Sequence, residues 1–318
     1  MTTDAGLMTP SDEPIDVWAT ATPVISADEL GGPRLTAKRR FLLRFKRQRL
    51  AVASLVLIVL VGLVAIFAPW LAPRDPNKID LINALKPPPG GSGLGTDHLG
   101  RDALSRLIIA SRVSMQAGIE SVGIGILLGI PMGLVAGYFG RWVDRLLTQL
   151  NDAVLAFPPL ILSVAVVAVL GRNLTNAMLA IGIVFAPRFF RLARAEVLSI
   201  REETYIEAAR SIGTPTRKIL TRHVLPNALP SLIVQASLSA GFAMLAEASL
   251  SFLGLGVQPP QSSWGAMLAE AAGVINREWT LMLAPGICII VITLAFNILG
   301  DGLRDSIGRE ERRGDADG

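Results

Sequence analysis

The chain has very little cysteine and histidine, the side chains that most often carry thiol or transition-metal chemistry. Its one cysteine, Cys288, sits inside an apolar run, so no intrachain disulfide can form and a packing role with low reactivity is expected. There are two histidines, His98 and His223, and no His-Glu-x-x-His, Cys-x-x-Cys or Gly-x-Ser-x-Gly pattern. Metal-assisted and nucleophilic catalysis lack their parts, and no catalytic residue or metal ligand is assigned. Gly90-Gly91-Ser92-Gly93 is not followed by Gly-Lys-Ser or Gly-Lys-Thr, so it reads as a flexible turn and not as a phosphate loop. No cofactor site is therefore expected on this chain, and any ATP it depends on must be hydrolysed by a separate one. Charge is also scarce, at 18% of residues, and the first 33 residues contain no lysine or arginine. Six acids and scattered Pro and Gly make that stretch a disordered tail and not a secretory leader.

Apolar residues, by contrast, make up 51% of the chain, with a mean hydropathy of +0.49. Residues 51–72 carry no charge, against roughly 20 residues needed to cross the hydrocarbon of a bilayer. Similar runs lie at 118–138, 153–170, 174–190, 228–252 and 281–299, of which 174–190 is the shortest. Backbone groups in lipid must bond within their own segment, so these runs are helices. The fold class is all-α polytopic membrane protein with about six transmembrane helices. With six spans and a cytoplasmic start, 22 Lys and Arg fall inside and 8 outside, which favours a cytoplasmic membrane location with both termini in the cytoplasm. His98 and His223 then fall on opposite sides. The net charge of +4 reads as topology and contact with anionic membrane lipid. Nucleic acid is a poor partner, because the bases flank spans and form no stripe. The expected organisation is a tail at 1–33, a basic surface segment at 34–50, a first span at 51–72, an extracytoplasmic loop at 73–112, a five-span core at 113–305 and a cytoplasmic tail at 306–318. In the second segment Phe41, Leu42 and Phe45 alternate with bases, as in an amphipathic helix on the inner leaflet or a plain anchor helix.

Inside the spans, Gly125, Gly129, Gly133 and Gly137 recur every four residues and form a slowly winding stripe for close helix packing, within or between subunits. Pro131, Pro158-Pro159 and Pro187 interrupt helix bonding without locating a site. Acids in apolar surroundings are more telling. Glu120 and Glu247 lie near the outer ends of their spans, where each can face a translocation path or outer gate, or pair with a base such as Arg112. Asp152 reads as a helix N-terminal charge at the inner face.

The polar stretch between the runs ending near 190 and beginning near 228 is the most informative. It contains Glu207-Ala208-Ala209, Gly213, His223, Leu225, Pro226 and Asn227. Gly213 suits a helix C-terminal cap, Thr214 an N-cap and Pro215 the first position of a second helix. Such a segment is a helical knob in water at one membrane face, where another protein can reach it.

The order Glu-Ala-Ala, three residues, Gly, nine residues, His, then Leu-Pro-Asn resembles the loop by which permeases of ABC importers dock on their ATPases. Gly95-Thr96-Asp97-His98-Leu99-Gly100-Arg101-Asp102, Glu247-Ala248-Ser249-Leu250-Ser251-Phe252-Leu253-Gly254-Leu255-Gly256 and Asn297-Ile298-Leu299-Gly300-Asp301-Gly302-Leu303-Arg304-Asp305 are similar to segments of the dipeptide and oligopeptide group. The likeness runs from about residue 39 to 305, and departs where Ser306-Ile307-Gly308-Arg309 stands in place of Leu-Asp-Pro-Arg. The resemblance implies a type I importer permease fold with a cytoplasmic coupling helix at Glu207–Asn227. It also implies a second homologous permease, two ATP-binding subunits carrying ATP and Mg, an extracytoplasmic peptide-binding protein and a peptide substrate. Permeases for nickel chelates, glutathione or cell-wall peptides share the motifs. A membrane-embedded enzyme or a passive channel is the reading from another class.

Overall fold

The computed structural model describes residues 37–89, 91 and 93–307, with the backbone alone described at Ala37, Lys38 and Arg40. The expected tail at 1–33, residues 308–318 of the expected C-terminal tail, and Gly90 and Ser92 lie outside the described residues. Contacts separate Met1–Arg40 from Phe41–Gly318, and the packing below is that of the second unit.

Helix α1 (Ala37–Arg47) ends at Gln48, whose φ of −88° and ψ of 87° leave the helical region, and α2 (Arg49–Leu71) follows at once. Twenty-three residues rise about 35 Å, enough for the roughly 30 Å of hydrocarbon, and no charge follows Arg49. Phe45 packs with Ala51 and Leu299, anchoring the start of α2 to the last helix. The loop that follows holds a short 3₁₀ turn (Leu81–Asn83) and an isolated bridge between Thr96 and Asp102. Asp102 then caps α3 (Ala103–Phe139), accepting the Ser105 backbone N–H at 2.9 Å. This helix begins well before the expected span at 118, and Gly140, at φ +61°, ends it.

The next apolar run corrects an expectation. Residues 153–170 do not form one continuous helix. They are split between α4 (Arg141–Leu155) and α5 (Pro159–Leu170), which meet at 93°. Pro158-Pro159 removes two backbone donors at the break, and α5 alone rises only about 18 Å. Asp152 belongs to the end of α4, not to a helix start, and its carboxylate takes the Arg191 guanidinium at 2.8 Å.

Helix α6 (Leu174–Ile200) also exceeds its expected run, because Arg191 and Arg194 find acids on α4 and need not end it. After it come α7 (Thr204–Ser211), α8 (Thr216–Ile219), a π-helical turn (Leu220–Val224) and α9 (Leu225–Phe252). The chain closes with α10 (Trp264–Ala272) and α11 (Thr280–Ile307). Five helical stretches are long and apolar enough to cross a membrane, and the bent α4–α5 pair makes a sixth crossing if counted as one.

Helix α6 is central. Two thirds of its most apolar stretch is buried, 67% against 17% for α2 and 22% for α11. Its broadest contact is with α3, along the glycine stripe. A Cβ on Gly129 would run into the Ala186 carbonyl and lie 2.8 Å from Phe189 Cβ. One on Gly133 would lie 2.5 Å from the Phe190 carbonyl oxygen, and one on Gly137 2.7 Å from Val197 Cβ. Gly125 is less tight, with the Phe189 ring at 3.3 Å. The stripe thus faces another helix of the same chain, at backbone-to-backbone range.

Candidate functional site

Between α6 and α9 the chain folds into a compact knob. Ile206 of α7, Ile219 of α8 and Val224 of the π turn are buried against Val197 and Ile200 at the end of α6, with Leu134 and Tyr138 of α3 alongside. These apolar residues anchor two helices too short to be stable alone. The turn between them is closed by a Schellman cap. Thr214 N–H donates to the Ala209 carbonyl at 3.0 Å and Gly213 N–H to the Arg210 carbonyl at 2.9 Å, with Gly213 at φ +75°. The second helix starts one residue later than expected. Pro215, not Thr214, occupies the N-cap position, and its carbonyl accepts from Lys218 and Ile219 N–H.

The polar chemistry of the knob faces outward. Glu207 and Ala208 are exposed and Ala209 half-buried, and no partner for the Glu207 carboxylate is found among the described residues. Glu207 lies in the first turn of α7, where the exposed N–H groups favour a negative charge. His223, Leu225, Pro226 and Asn227 form the opposite wall, at the π turn and the start of α9. Asn227 Nδ2 donates to Tyr205 Oη at 3.0 Å and to the His223 carbonyl at 2.9 Å, while the Tyr205 and His223 rings lie 6.2 Å apart. Asn227 therefore ties the two ends of the knob together. Tyr205 was not among the residues singled out from the sequence, and neither was Tyr138. The latter takes the Arg210 guanidinium on its ring face, 5.0 Å from the centroid, and the Thr216 hydroxyl at 3.4 Å.

The two intramembrane acids differ. Glu247 is buried and caged by serines: Ser251 Oγ donates at 2.6 Å and Ser114 Oγ lies at 3.4 Å. Trp264 N–H donates to Ser114 Oγ at 3.2 Å, so the cage joins α3, α9 and α10. Glu120 is half-buried, and it accepts from Gln116 Nε2 at 2.6 Å instead of pairing with Arg112. Arg112 and Gln116 line a separate cavity of about 600 Å³ with Asn77, Asn173 and Gln261, at the end of the molecule opposite the knob.

A further cluster joins the segment before α3 to α10. Arg101 bridges Asp97 at 2.6 Å and Glu270 at 2.8 Å, and Arg106, 1% exposed, reaches Glu270 at 2.9 Å. Asp97, His98 and Glu270 bring three ligand atoms within 4.8 Å, a spacing that could suit a cation. Two guanidiniums already hold those carboxylates, so the arrangement works as an ion-pair clasp. Its partners are 164 and 169 residues apart in sequence, which is why the pattern is invisible there.

The family described as binding-protein-dependent transport system inner membrane component matches residues 129–313. That described as the N-terminal TM domain of oligopeptide transport permease C matches residues 36–88. The dipeptide transport system permease protein of Alkalihalophilus pseudofirmus is 42% identical over 265 residues, 83% of this chain and 87% of that protein. The probable D,D-dipeptide transport system permease protein of Escherichia coli K12 is 43% identical over 82% and 87%. The glutathione transport system permease protein of Pectobacterium atrosepticum is 42% identical over 86% and 91%. A chain of the inward-facing MetNI methionine ABC transporter superposes with a TM-score of 0.54 at 20% identity, covering 64% of this chain and 97% of its own, which extends the likeness to the fold.

Proposed function

Since the chain belongs to the family of binding-protein-dependent transport system inner membrane components, we propose that it is the multi-pass permease subunit through which an ATP-driven importer passes dipeptides or oligopeptides. The observation that carries the coupling part of this reading is the knob: an exposed carboxylate on a capped, buried-core element between two membrane-length helices. In the proposed assembly a second homologous permease lies beside this chain. Two ATP-binding subunits carry ATP and Mg at the knob's face, and an extracytoplasmic binding protein delivers the peptide. The knob face and both termini are then cytoplasmic, and this chain performs no hydrolysis itself. Glutathione, a tripeptide, is the second substrate reading, favoured by the 42% identity to a glutathione permease.

The physical route for coupling is short. Val197 and Ile200 of α6 and Leu134 and Tyr138 of α3 share the apolar cluster that holds α7 and α8. A push on α7 therefore reaches α3 and α6 through this cluster, and α9 through the π turn that runs directly into it. Glu247, in its serine cage, would keep the far ends of α3, α9 and α10 moving as one at the outer gate.

The test uses Glu207→Lys and Gly213→Val in the complete complex. The first replaces a charge-assisted contact by repulsion. The second puts a β-branched residue at φ +75°, in open space, so its effect is backbone strain without a clash. Both variants should reach the membrane in normal amounts, yet co-purify with less ATPase subunit and take up labelled peptide at least tenfold more slowly. Full ATPase retention with full uptake in both would refute the coupling role.

A further inference from the structure

Three arginines follow one another along α6 at 188, 191 and 194, and two of them are neutralised. Arg191 meets Asp152 at 2.8 Å, and Arg194 holds Asp144 through Nε and Nη2, both acids lying on α4. Arg188 has no carboxylate paired with it among the described residues. Its guanidinium lies over two aromatic faces, 5.0 Å from the Phe185 centroid and 5.4 Å from that of Phe242. It is also far from either end of its helix. Fourteen residues separate it from Leu174 and twelve from Ile200, about 21 Å and 18 Å of rise. Counted from Leu174 it falls within the roughly 30 Å of hydrocarbon, one turn before the ion-paired Arg191, and an unneutralised cation in a membrane segment is costly and marks a functional site with a specific counter-charge.

The surroundings identify that counter-charge. Arg188, exposed at the surface of this chain, borders an open cavity of about 250 Å³ between α5, α6 and α9. The other polar groups on its wall are Ser163 and Ser249, and both hydroxyls already donate, to the Pro159 and Leu245 carbonyls at 2.9 Å. The guanidinium is thus the one wall group with N–H donors to spare, while Leu160, Val184 and Leu250 give the remaining wall its apolar character. A planar fork of donors fits a carboxylate bidentately. The rings stacked on the guanidinium hold it in place and leave its edge open.

Resting on the peptide-importer reading above, we propose that this cavity is a subsite of the translocation path in which Arg188 receives the C-terminal carboxylate of the peptide, with the terminal side chain against the apolar wall. A lipid phosphate offers the same anionic chemistry, and because it would serve both substrates alike, equal losses for acid and amide would assign Arg188 to it. An acid of the neighbouring permease is the other counter-charge that the test must separate.

The complete complex, with its binding protein, is reconstituted with this chain unaltered or carrying Arg188→Gln or Arg188→Lys. Uptake is measured at saturating concentration for a peptide and its C-terminal amide. Arg188→Gln should lower the maximal rate for the free acid about tenfold or more, the scale of one charge-assisted contact, and leave the amide within about twofold. Arg188→Lys should recover part of the loss. Equal losses for acid and amide, or no loss for either, overturn the proposal. So does failure of the Arg188→Gln chain to co-purify with the second permease, which would make Arg188 an interface ion-pair partner. Uptake of neither peptide by the unaltered complex would instead sink the peptide-importer reading, and the subsite with it. A binding readout that needs no turnover uses Ser249→Cys with Cys288→Ser. The free-acid peptide should slow thiol alkylation when Arg188 is present and not in R188Q, and equal protection in both overturns the proposal.

Discussion

The two halves of α3 are held by different physics. Its first eighteen residues are fixed by polar contacts to α9 and α10. Arg106 grips Glu270, the Leu107 carbonyl accepts from Trp264 Nε1 at 3.2 Å, and Ser114 touches both Glu247 and the Trp264 backbone. The second half makes no such contact to α9 or α10 among the described residues, and its polar contacts, at Ser121, Gly137 and Tyr138, go to α6 and the knob. It is fixed by the absence of side chains at Gly129, Gly133 and Gly137, which lets its backbone lie on that of α6. A polar clasp depends on which charges are present and can be released one bond at a time. A backbone-to-backbone seam tolerates no added atom and moves as one body with whatever is built on it. The knob is built on the seam, through Tyr138 and Val197. The clasp lies at the far end, beside the 600 Å³ cavity that Arg106 also borders.

The seam is the easier half to break. Gly129→Leu adds four carbons where even Cβ meets the Ala186 carbonyl, so α3 and α6 must separate along most of their contact. Overpacking typically costs about 1–3 kcal/mol, and contact with unyielding backbone puts this site at the upper end. The expected outcome is loss of most of the assembled complex on size exclusion after detergent extraction, with transport falling in proportion. Normal assembly of this variant would mean that the seam opens freely, and the contrast between the two halves would fail.

How much of this was legible in the sequence follows the same division. Period-four glycines on a single helix mark a close approach, although not which helix approaches. The capped break at Gly213 was legible because a Schellman turn depends on local residue types, and only its next step, Pro215 as N-cap, differed by one position. Pro158-Pro159 marked an interruption in the run at 153–170, but not a 93° bend, because an apolar run records burial and not direction. The true end of α6 was hidden since Arg191 and Arg194 read as a boundary until α4 supplies Asp152 and Asp144, 39 and 50 residues earlier. The serine cage of Glu247 and the Arg106–Glu270 clasp join parts 133 and 164 residues apart, and nothing in local composition announces either.

Breaking the clasp should have a smaller effect of another kind. Glu270→Gln removes the charge shared by Arg101 and Arg106 and leaves the almost fully buried Arg106 facing Asp97 alone, at 3.6 Å. Removing one partner of a buried pair can cost 3–5 kcal/mol, but Glu270 is itself 26% accessible, so about 2 kcal/mol is the expected scale. Thermal unfolding of the purified complex should start at lower temperature, with ATPase subunits still bound because the knob is untouched. Loss of ATPase binding in this variant would show that clasp and seam are one unit.

The smallest expected effect is also the sharpest control. Gly123 lies at the start of the second half of α3, two residues before the stripe begins, and a Cβ there would meet nothing within 4 Å. Its φ is not in the left-handed region, so alanine is free to adopt the local conformation. Replacing glycine by alanine in a helix interior gains about 0.5–1 kcal/mol in backbone entropy and propensity. Gly123→Ala should therefore leave assembly and uptake unchanged or raise the unfolding temperature slightly, while Gly133→Ala lowers it. In the second case the new Cβ lies 2.5 Å from the Phe190 carbonyl oxygen and 2.8 Å from Ala193 Cβ, and neither contact can relax by rotating a flexible side chain. The same one-carbon addition ten residues apart then separates steric contact from helix propensity. If both substitutions stabilise, close approach is not what holds α3 to α6, and the effect of Gly129→Leu would have to be assigned to the bulk of leucine alone.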